Sequence, residues 1–312
     1  MKKAILLTSL GAKYSLLQRV KQARDKFNKN LRIIGADSSE KALTKNFVTE
    51  FWHMPRLQDL GITDFLSFCQ AQNIRYIIPT RDGELPFFAQ HKTLLKEHGV
   101  YVFVCSYENV MLCYDKYTFY QKAPKDYSIA TALDPNELNA ERFVIKERFG
   151  GGSKNIALNV PKEDLQKLRA NFTEPIFQNF IEGDEYSVDS YVDKEGVLRA
   201  SIVRSRDLIK SGEAKKTTSV SKPHIVQKVQ KFLESFAITG HSVTQMFEDK
   251  EGILHLIECN TRYGGASSLS YELGLESFYW FLLECAGRDF TVELQERQLT
   301  QIRVEGDHYF ES

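Results

Sequence analysis

Short apolar runs alternate with segments of helical spacing over the first hundred residues. The runs AILLTSLG, LRIIGAD, IRYIIPT and VYVFVCS each predict a β-strand, and the segments at 14–27, 62–73 and 85–99 have the periodicity of helices. Strands that alternate with helices predict βαβ units and an open parallel α/β sheet. Ligands bind such sheets at the carboxyl ends of the strands, where Gly11, Asp37 and the run PTRDGEL fall.

The pattern changes after residue 112, where strands follow one another with short turns between them. The sequence predicts a short helix that ends before Pro124, a strand–glycine loop–strand unit at 142–160 and a helix at 161–172. Antiparallel strands are predicted over 174–208, joined by Glu-Gly and Lys-Glu-Gly turns. The remaining predicted elements are a helix, a strand pair, a helix and a final strand, at 223–236, 242–260, 268–286 and 300–306.

Charge and cysteine content exclude several classes of protein. Lys+Arg and Asp+Glu balance at 41 each, so a bulk nucleic-acid or anionic-membrane binder is not indicated. The apolar run Ala4–Leu7 is too short for a signal peptide, and no run approaches the length of a membrane span. The five cysteines are scattered without a CxxC pair, which disfavours structural zinc. We therefore expect a cytoplasmic protein with reduced thiols, without nucleic-acid or membrane partners.

The first candidate site is the stretch VIKERFGGGSKN. Lys146 lies in a predicted strand, and the glycines that follow it can expose backbone N–H groups to phosphate oxygens. The order of a Walker A loop is missing. Taken alone, the stretch favours a flexible hairpin turn beside a solvated lysine.

The second candidate is PIFQNFIEGDEYSVDSYV. Its apolar run is interrupted by Gln178 and Asn179, so it could hold a planar ring between apolar side chains while its backbone supplies hydrogen bonds. Glu185, on the next predicted strand, could accept both hydroxyls of a ribose. An ordinary edge hairpin with an acidic turn is the alternative.

The third candidate is HLIECNTRYGG, where polar residues alternate at the end of a strand. Glu258 and Asn260 leave the strand by one face, Arg262 continues the row, and Gln245 is predicted to lie across the hairpin. Carboxylate and amide oxygens suit Mg²⁺, and an arginine beside them can stabilise charge on a transferring phosphoryl group. A polar, solvated strand face is the alternative.

These motifs occur in one order, which resembles that of the ATP-grasp superfamily and within it the carbamoyl-phosphate-synthase-like branch. The order is DK, IK-x-x-x-GGG, Q-x-F-I-x-G-x-E-Y-S-V-D, R-x-R…SGE and Q…IE-x-N-x-R-x-GG. The resemblance implies a parallel α/β pre-ATP-grasp domain at 1–112 and an ATP-grasp fold at 113–290, with a small lid subdomain at about 120–180. It leaves 291–312 as a tail with one strand packed on the ATP-grasp domain.

The resemblance also implies roles for individual residues. The implied ATP-phosphate contacts and mobile lid loop comprise Lys116, Lys146, Gly150, Gly151, Gly152 and Ser153. The implied adenine hinge and ribose contact comprise Gln178, Asn179, Phe180, Ile181 and Glu185. The implied metal ligands are Gln245, Glu258 and Asn260, and the implied catalytic cations are Arg262, Lys146 and Arg206. Arg204 and the loop Ser211–Lys216 resemble an element that closes over the substrate.

The activity implied is an ATP- and Mg²⁺-dependent ligase that joins a small carboxylic acid to an amine or thiol. One or two metal ions are expected, with Mn²⁺ as a substitute, and a homodimer is the default assembly. Gln245 stands where many relatives have a carboxylate, which leaves Glu258 as the clear anionic ligand. A kinase-like enzyme that phosphorylates an acid or carbamate and a non-catalytic ATP-binding regulatory module both remain open. A dehydrogenase is disfavoured because G-x-G-x-x-G is missing.

Overall fold

Strands and helices alternate through the first hundred residues and form a parallel sheet of five strands. The computed structural model describes residues 1–151, 155–304 and 306–310. The strand order is β3-β2-β1-β4-β5, and every pairing in this sheet is parallel. The strands are β1 (Ala4–Leu7), β2 (Arg32–Asp37), β3 (Glu50–His53), β4 (Ile74–Ile78) and β5 (Tyr101–Val102). The helices are α1 (Tyr14–Asn28), α2 (Ile62–Ala71), α3 (Leu85–Gln90) and α4 (Lys92–Glu97).

The parallel sheet is covered on both faces, as βαβ units require. Ile5 and Leu7 face a core that includes α1, while the alternate residue Leu6 faces a second core with α2 and α3. The first core also contains Phe278 and Leu282 from the C-terminal half. This shared core fixes the parallel sheet against the later part of the chain.

A second, four-stranded sheet follows two helices that lead out of the parallel sheet. Its strand order is β6-β9-β7-β8, and its pairings are antiparallel. The strands are β6 (Thr131–Ala132), β7 (Arg142–Glu147), β8 (Ile156–Pro161) and β9 (Pro175–Asn179). The helices are α5 (Tyr107–Tyr114), α6 (Lys116–Lys122) and α7 (Leu165–Arg169).

The third sheet is antiparallel, with six strands in the order β14-β13-β10-β11-β12-β15. Its strands are β10 (Gly183–Val192), β11 (Leu198–Lys210), β12 (Glu213–Val220), β13 (Gly240–Asp249), β14 (Leu254–Asn260) and β15 (Thr300–Ile302). Its helices are α8 (Pro223–Ser235), α9 (Ser268–Glu272) and α10 (Ser277–Cys285). Tyr186, Val188 and Met246 point from one face of this sheet into a core with α8.

The predicted fold class is confirmed, with local differences. The edge strand β3 was not predicted because EFWH is short and only partly buried. The prediction of a loop at Ser211–Lys216 is wrong from Glu213 onwards, because those residues form a strand that pairs with β11. Only Ser211 and Gly212 form the turn. The predicted helix at 268–286 is interrupted by Gly274, whose φ of +99° is incompatible with a helix.

None of the helices in the described ranges combines the length and the hydropathy that a bilayer crossing requires. The domain boundaries at 112 and 290 stay a prediction.

Candidate functional site

One face of the six-stranded sheet carries a row of polar side chains. Gln245 on β13 is paired with Glu258 on β14 and with Ser187 on β10. Residues opposite each other share a face, and so do alternate residues along a strand. The polar row on this face therefore comprises Glu185, Ser187, Gln245, Glu258 and Asn260.

Lys146 projects from the four-stranded sheet toward this polar row. It lies in β7, is only 8% exposed, and is near enough to Glu258 and Glu185 for both charges to act on its ammonium. Burial lowers the pKa of Lys146 from 10.5 to about 8. The two carboxylates favour the charged form and so act to raise this pKa. A buried cation therefore faces the carboxylates across the gap between two sheets.

Lys116 is held beside Lys146 by the start of α6. Asp115 caps this helix by accepting from the backbone N–H of Thr118 at 3.2 Å, and its Oδ1 also accepts from Arg148 Nε at 2.8 Å. The N–H of Lys116 donates to the carbonyl of Arg148 at 3.1 Å, and Lys116 Nζ donates to the carbonyl of Gly150. The helix start, the end of β7 and the glycine loop thus form one connected unit.

The described part of the glycine loop ends at Gly151. Gly150 has a φ of +94°, a conformation that favours glycine, and a Cβ placed on it would meet open space. Gly152 and Ser153, which complete the predicted loop, lie outside the described residues.

The predicted adenine hinge connects the four-stranded sheet to the six-stranded sheet. Gln178, only 5% exposed, donates from Nε2 to Thr131 Oγ1 at 2.7 Å. The N–H of Phe180 donates to the carbonyl of Arg142 at 3.0 Å, and Ile181 follows before β10 begins. Asn179 Oδ1 is buried without a hydrogen-bond partner among the described residues. Such an atom needs a donor, which a ligand can supply.

Glu185 and Arg206 form an ion pair on the polar face. The distance from Arg206 Nε to Glu185 Oε1 is 2.8 Å, and Arg206 Nη2 donates to the carbonyl of Gly212 at 3.0 Å. Burial raises the pKa of Glu185 above its ordinary value, although Arg206 favours the ionised form. The structure therefore brings Arg206 to the residue predicted to contact ribose.

Glu258 is the single carboxylate in the predicted metal set. Asn260 Nδ2 donates to Glu258 Oε1 at 3.0 Å, and Gln245 lies opposite on β13. Within the described ranges no group of three His, Cys, Asp or Glu residues comes together as a metal site. The set offers one charged and two amide oxygens, which are hard ligands of the kind that Mg²⁺ accepts.

Arg262 lies just beyond β14 and is bound by Asp82, from the turn that follows β4 at the carboxyl edge of the parallel sheet. Its Nε and Nη2 donate to Asp82 Oδ1 and Oδ2, each at 2.6 Å. Asp82 falls within the strand-end run PTRDGEL, so its position was predictable but its partner was not. The pair joins the carboxyl edge of the parallel sheet to the end of β14.

The same edge of the parallel sheet holds a partly buried lysine. Lys13 Nζ donates to the carbonyl of Ser9 at 2.6 Å and to Thr80 Oγ1 at 2.8 Å. Burial lowers the pKa of Lys13 to about 8, while Glu84 opposes the shift. Sequence spacing gave no signal for Lys13, because Thr80 and Glu84 come from the loop after β4, far from it in sequence.

Arg204 is not at the substrate side as expected but inside the protein. It is 2% exposed, and its Nε lies 2.5 Å from Oδ2 of the fully buried Asp189. Ser267 and Ser270 donate to the same carboxylate, and the backbone N–H of Gly264 donates to Ser267 Oγ at 2.9 Å. The network therefore anchors the loop that follows Arg262.

Two family models match the sequence. One is described as "PylC-like, N-terminal domain" and matches residues 5–103. The other is described as "ATP-grasp in the biosynthetic pathway with Ter operon" and matches residues 171–306, the segment that carries the polar face. The chain contains an ATP-grasp domain. The ATP-grasp domain predicted from the order of the motifs is thereby confirmed. No curated protein matches the sequence.

Solved structures resemble the whole chain. The biotin carboxylase of Campylobacter jejuni in complex with β,γ-ATP superposes with a TM-score of 0.77 at 15% identity, over 97% of this chain and 76% of its own. The N5-carboxyaminoimidazole synthetase of Staphylococcus aureus complexed with ADP gives 0.75 at 17% identity, over 96% and 82%. At these identities the likeness establishes that the ATP-grasp domain and the parallel sheet before it have the fold of these proteins.

A third structure has the same fold. It is the biotin carboxylase domain dimer of the Hydrogenobacter thermophilus 2-oxoglutarate carboxylase, in complex with MgADP, ADP and bicarbonate. Its TM-score is 0.73 at 15% identity, over 92% of this chain and 70% of its own.

Proposed function

We propose that the protein is an ATP- and Mg²⁺-dependent ligase that activates a small carboxylic acid as an acyl phosphate for attack by an amine or another nucleophile. The observation that carries this proposal is the buried Lys146 facing Glu258 and Glu185 across the gap between two sheets. The Lys146 ammonium faces these carboxylates across a gap, and triphosphate binding requires cations beside a metal ligand.

The residues present fit a nucleotide and a divalent metal. Asn179 Oδ1 and the backbone of the adjoining hinge would hydrogen-bond a planar base, and Glu185 would accept hydrogen bonds from a ribose. Gln245, Glu258 and Asn260 would hold Mg²⁺, whose charge would neutralise phosphate oxygens when bound. The similar structures are complexes with ADP, MgADP and β,γ-ATP, which supports the assignment.

The reaction then divides into two displacements. The substrate carboxylate attacks the γ-phosphorus of ATP, the bond to the β-phosphate oxygen breaks, and ADP leaves with that electron pair. The nucleophile next attacks the acyl carbon and expels inorganic phosphate, with its proton lost to solvent. The protein positions the reactants and neutralises charge through Lys116, Lys146 and Arg262, so a nucleophilic side chain is not required.

ADP release with Mg²⁺, ATP and a library of amino acids and short peptides tests this proposal. We expect release that depends on at least one acid, and hydroxylamine should trap the acyl phosphate as a hydroxamate. Lys146→Met should abolish release, whereas Lys250→Met, which removes an exposed lysine paired with Glu182, should not. ATP binding without ADP release for any acid would instead support a non-catalytic nucleotide-binding module. Absence of ATP binding would contradict both.

The lowered pKa of Lys146 predicts a pH dependence of ATP binding. In the unliganded protein this ammonium loses its proton near pH 8, whereas bound phosphates favour the protonated form. ATP affinity should therefore be constant below about pH 7 and fall by up to about tenfold per pH unit above pH 8. Calorimetric titration between pH 6.5 and 9.5 measures this.

Two variants isolate the group responsible for that slope. Lys146→Arg should remove it, because a guanidinium stays charged throughout this range. Lys13→Arg replaces a partly buried lysine whose pKa is also lowered to about 8 and should retain the slope. An unchanged slope in Lys146→Arg would show that another group takes up the proton.

A further inference from the structure

Arg262 presents its guanidinium to a carboxylate within the protein itself. Nε and Nη2 form two parallel hydrogen bonds to Asp82, and Nη1 donates to the carbonyl of Tyr263 at 3.2 Å. The side chains of Arg262 and Asp82 are each 19% exposed. This forked geometry is the one in which arginine binds carboxylates and phosphates.

Asp82 is held firmly in this position. It begins a single 3₁₀ turn that connects β4 to α3, and the fully buried Glu84 secures that turn. Glu84 Oε1 accepts from the backbone N–H groups of Thr80 at 2.6 Å and Arg81 at 3.0 Å. Its Oε2 accepts from Ser9 Oγ at 2.7 Å. The Asp82 carboxylate is thus presented to Arg262 by a fixed backbone.

The ion pair lies directly beside the glycine loop and the metal set. A Cβ added to Gly151 would come within 2.5 Å of Asp82 Oδ2 and 4.0 Å of Arg262 Nη2. Asp82, Gly150 and Asn260 also line one small pocket. Arg262 lines a second pocket, which shares Thr261 with the first.

We propose that Asp82 occupies the anion position of Arg262 in the unliganded protein, and that the anionic substrate binds by displacing it. The proposal rests on the function proposed above. Both N–H groups on the forked edge of Arg262 are already used by Asp82, so a second anion cannot bind there in the same geometry. The ion pair therefore limits which ligands can bind to Arg262. A ligand must offer a planar or tetrahedral anion that replaces both hydrogen bonds, and a neutral ester or amide cannot.

Asp82 also prevents Arg262 from acting before the substrate arrives. While the carboxylate neutralises the guanidinium, its charge is not available to a transferring phosphoryl group. Exchange of Asp82 for the substrate anion restores that charge at the moment it is needed. Asp82 is accordingly a positioning and specificity residue rather than a catalytic one.

Binding of inorganic phosphate to the protein without nucleotide tests the exchange. Asp82→Asn keeps the shape of the side chain and removes its charge, so phosphate affinity should increase about tenfold, as expected when a charge-assisted pair no longer competes. Arg262→Gln combined with Asp82→Asn should abolish the increase, which separates Arg262 from the binding of phosphate at Lys116 and Lys146. Asp82→Ala repeats the measurement with a shorter side chain.

The matched control is Glu50→Gln. It removes the carboxylate from another forked pair, with Arg32, at the amino ends of β2 and β3 on the opposite edge of the same sheet. Phosphate affinity should be unchanged in this variant. Equal or weaker phosphate binding by both Asp82 variants, or the same increase in Glu50→Gln, overturns the exchange. Failure of ATP to bind to the wild-type protein contradicts the proposed function while leaving the phosphate result readable.

Discussion

Replacement of Glu258 by glutamine is expected to abolish Mg²⁺-supported ADP release while the protein remains folded. Glu258 is the single carboxylate among the predicted metal ligands, with Gln245 paired opposite and Asn260 hydrogen-bonded to it. Without its charge the metal would be held by neutral oxygens alone. We expect a fall of about 100- to 1000-fold in kcat, on the scale seen when one charge-stabilising group is removed from an active site.

Two further variants make the Glu258 prediction specific. Glu251→Gln removes a carboxylate from the exposed turn of the same hairpin and should leave ADP release unchanged. Gln245→Glu adds a second carboxylate beside Glu258 and should lower the Mg²⁺ concentration that gives half-maximal activity. Steady-state ADP release measured over a range of Mg²⁺ concentrations covers all three variants. Full activity in Glu258→Gln would place the metal elsewhere.

Asp189→Ala is expected to cause the largest loss of stability of any single change considered. The carboxylate is fully buried and bonded to Arg204, Ser267 and Ser270. Its removal leaves the buried guanidinium of Arg204 without its counter-charge, which costs about 3–5 kcal/mol. Urea unfolding followed by circular dichroism measures the change, and Asp126→Ala, from an exposed pair with Lys228, should cost less than about 1 kcal/mol.

The free energy of unfolding at acid pH should also depend on the network around Asp189. Although burial acts to raise it, the Arg204 guanidinium and His241 hold the pKa of Asp189 well below its usual range. A carboxyl with a lowered pKa stabilises the fold at every pH above its unfolded pKa of about 3.9, and this stabilisation is lost as the pH falls through the folded pKa. The difference in unfolding free energy between wild type and Asp189→Ala should thus be constant from pH 7 to 5 and shrink only in stronger acid. A difference that vanished by pH 5 would contradict the assignment.

Much of the fold could be predicted because the patterns are local. The apolar runs at 4–7 and 74–78 and the hairpin at 242–260 each show the residue pattern of a β-strand within their own short stretch. β12 could not be recognised in this way, because SGEAKKTTSV is polar and becomes a strand only through its pairing with β11 and β15. The C-terminal helix divides at Gly274 for a similar reason: a Cβ there would collide with the backbone of Glu293, which the local sequence does not reveal.

In the candidate site, too, contacts that are local in sequence could be predicted and long-range contacts could not. Gln245 and Glu258 were predictable as neighbours because one short hairpin joins them. The pair of Asp82 with Arg262 spans 180 positions and depends on how one sheet is set against another. The family resemblance placed Arg204 on the substrate side, but it cannot tell that Asp189 binds this side chain in the interior.

The antiparallel sheet also has a consequence for how the protein folds. The hairpin of β13 and β14 is contiguous in sequence, so Gln245 and Glu258 can meet early, at a low cost in loop-closure entropy. Pairing of β10 with β13 must close a long loop that contains β11, β12 and α8, and long-range pairing of this kind is slow. Glu185 joins the hairpin only at that stage. Gln245 and Glu258 are therefore expected to come together before Glu185 joins them, and refolding followed at both positions should show two distinct rates.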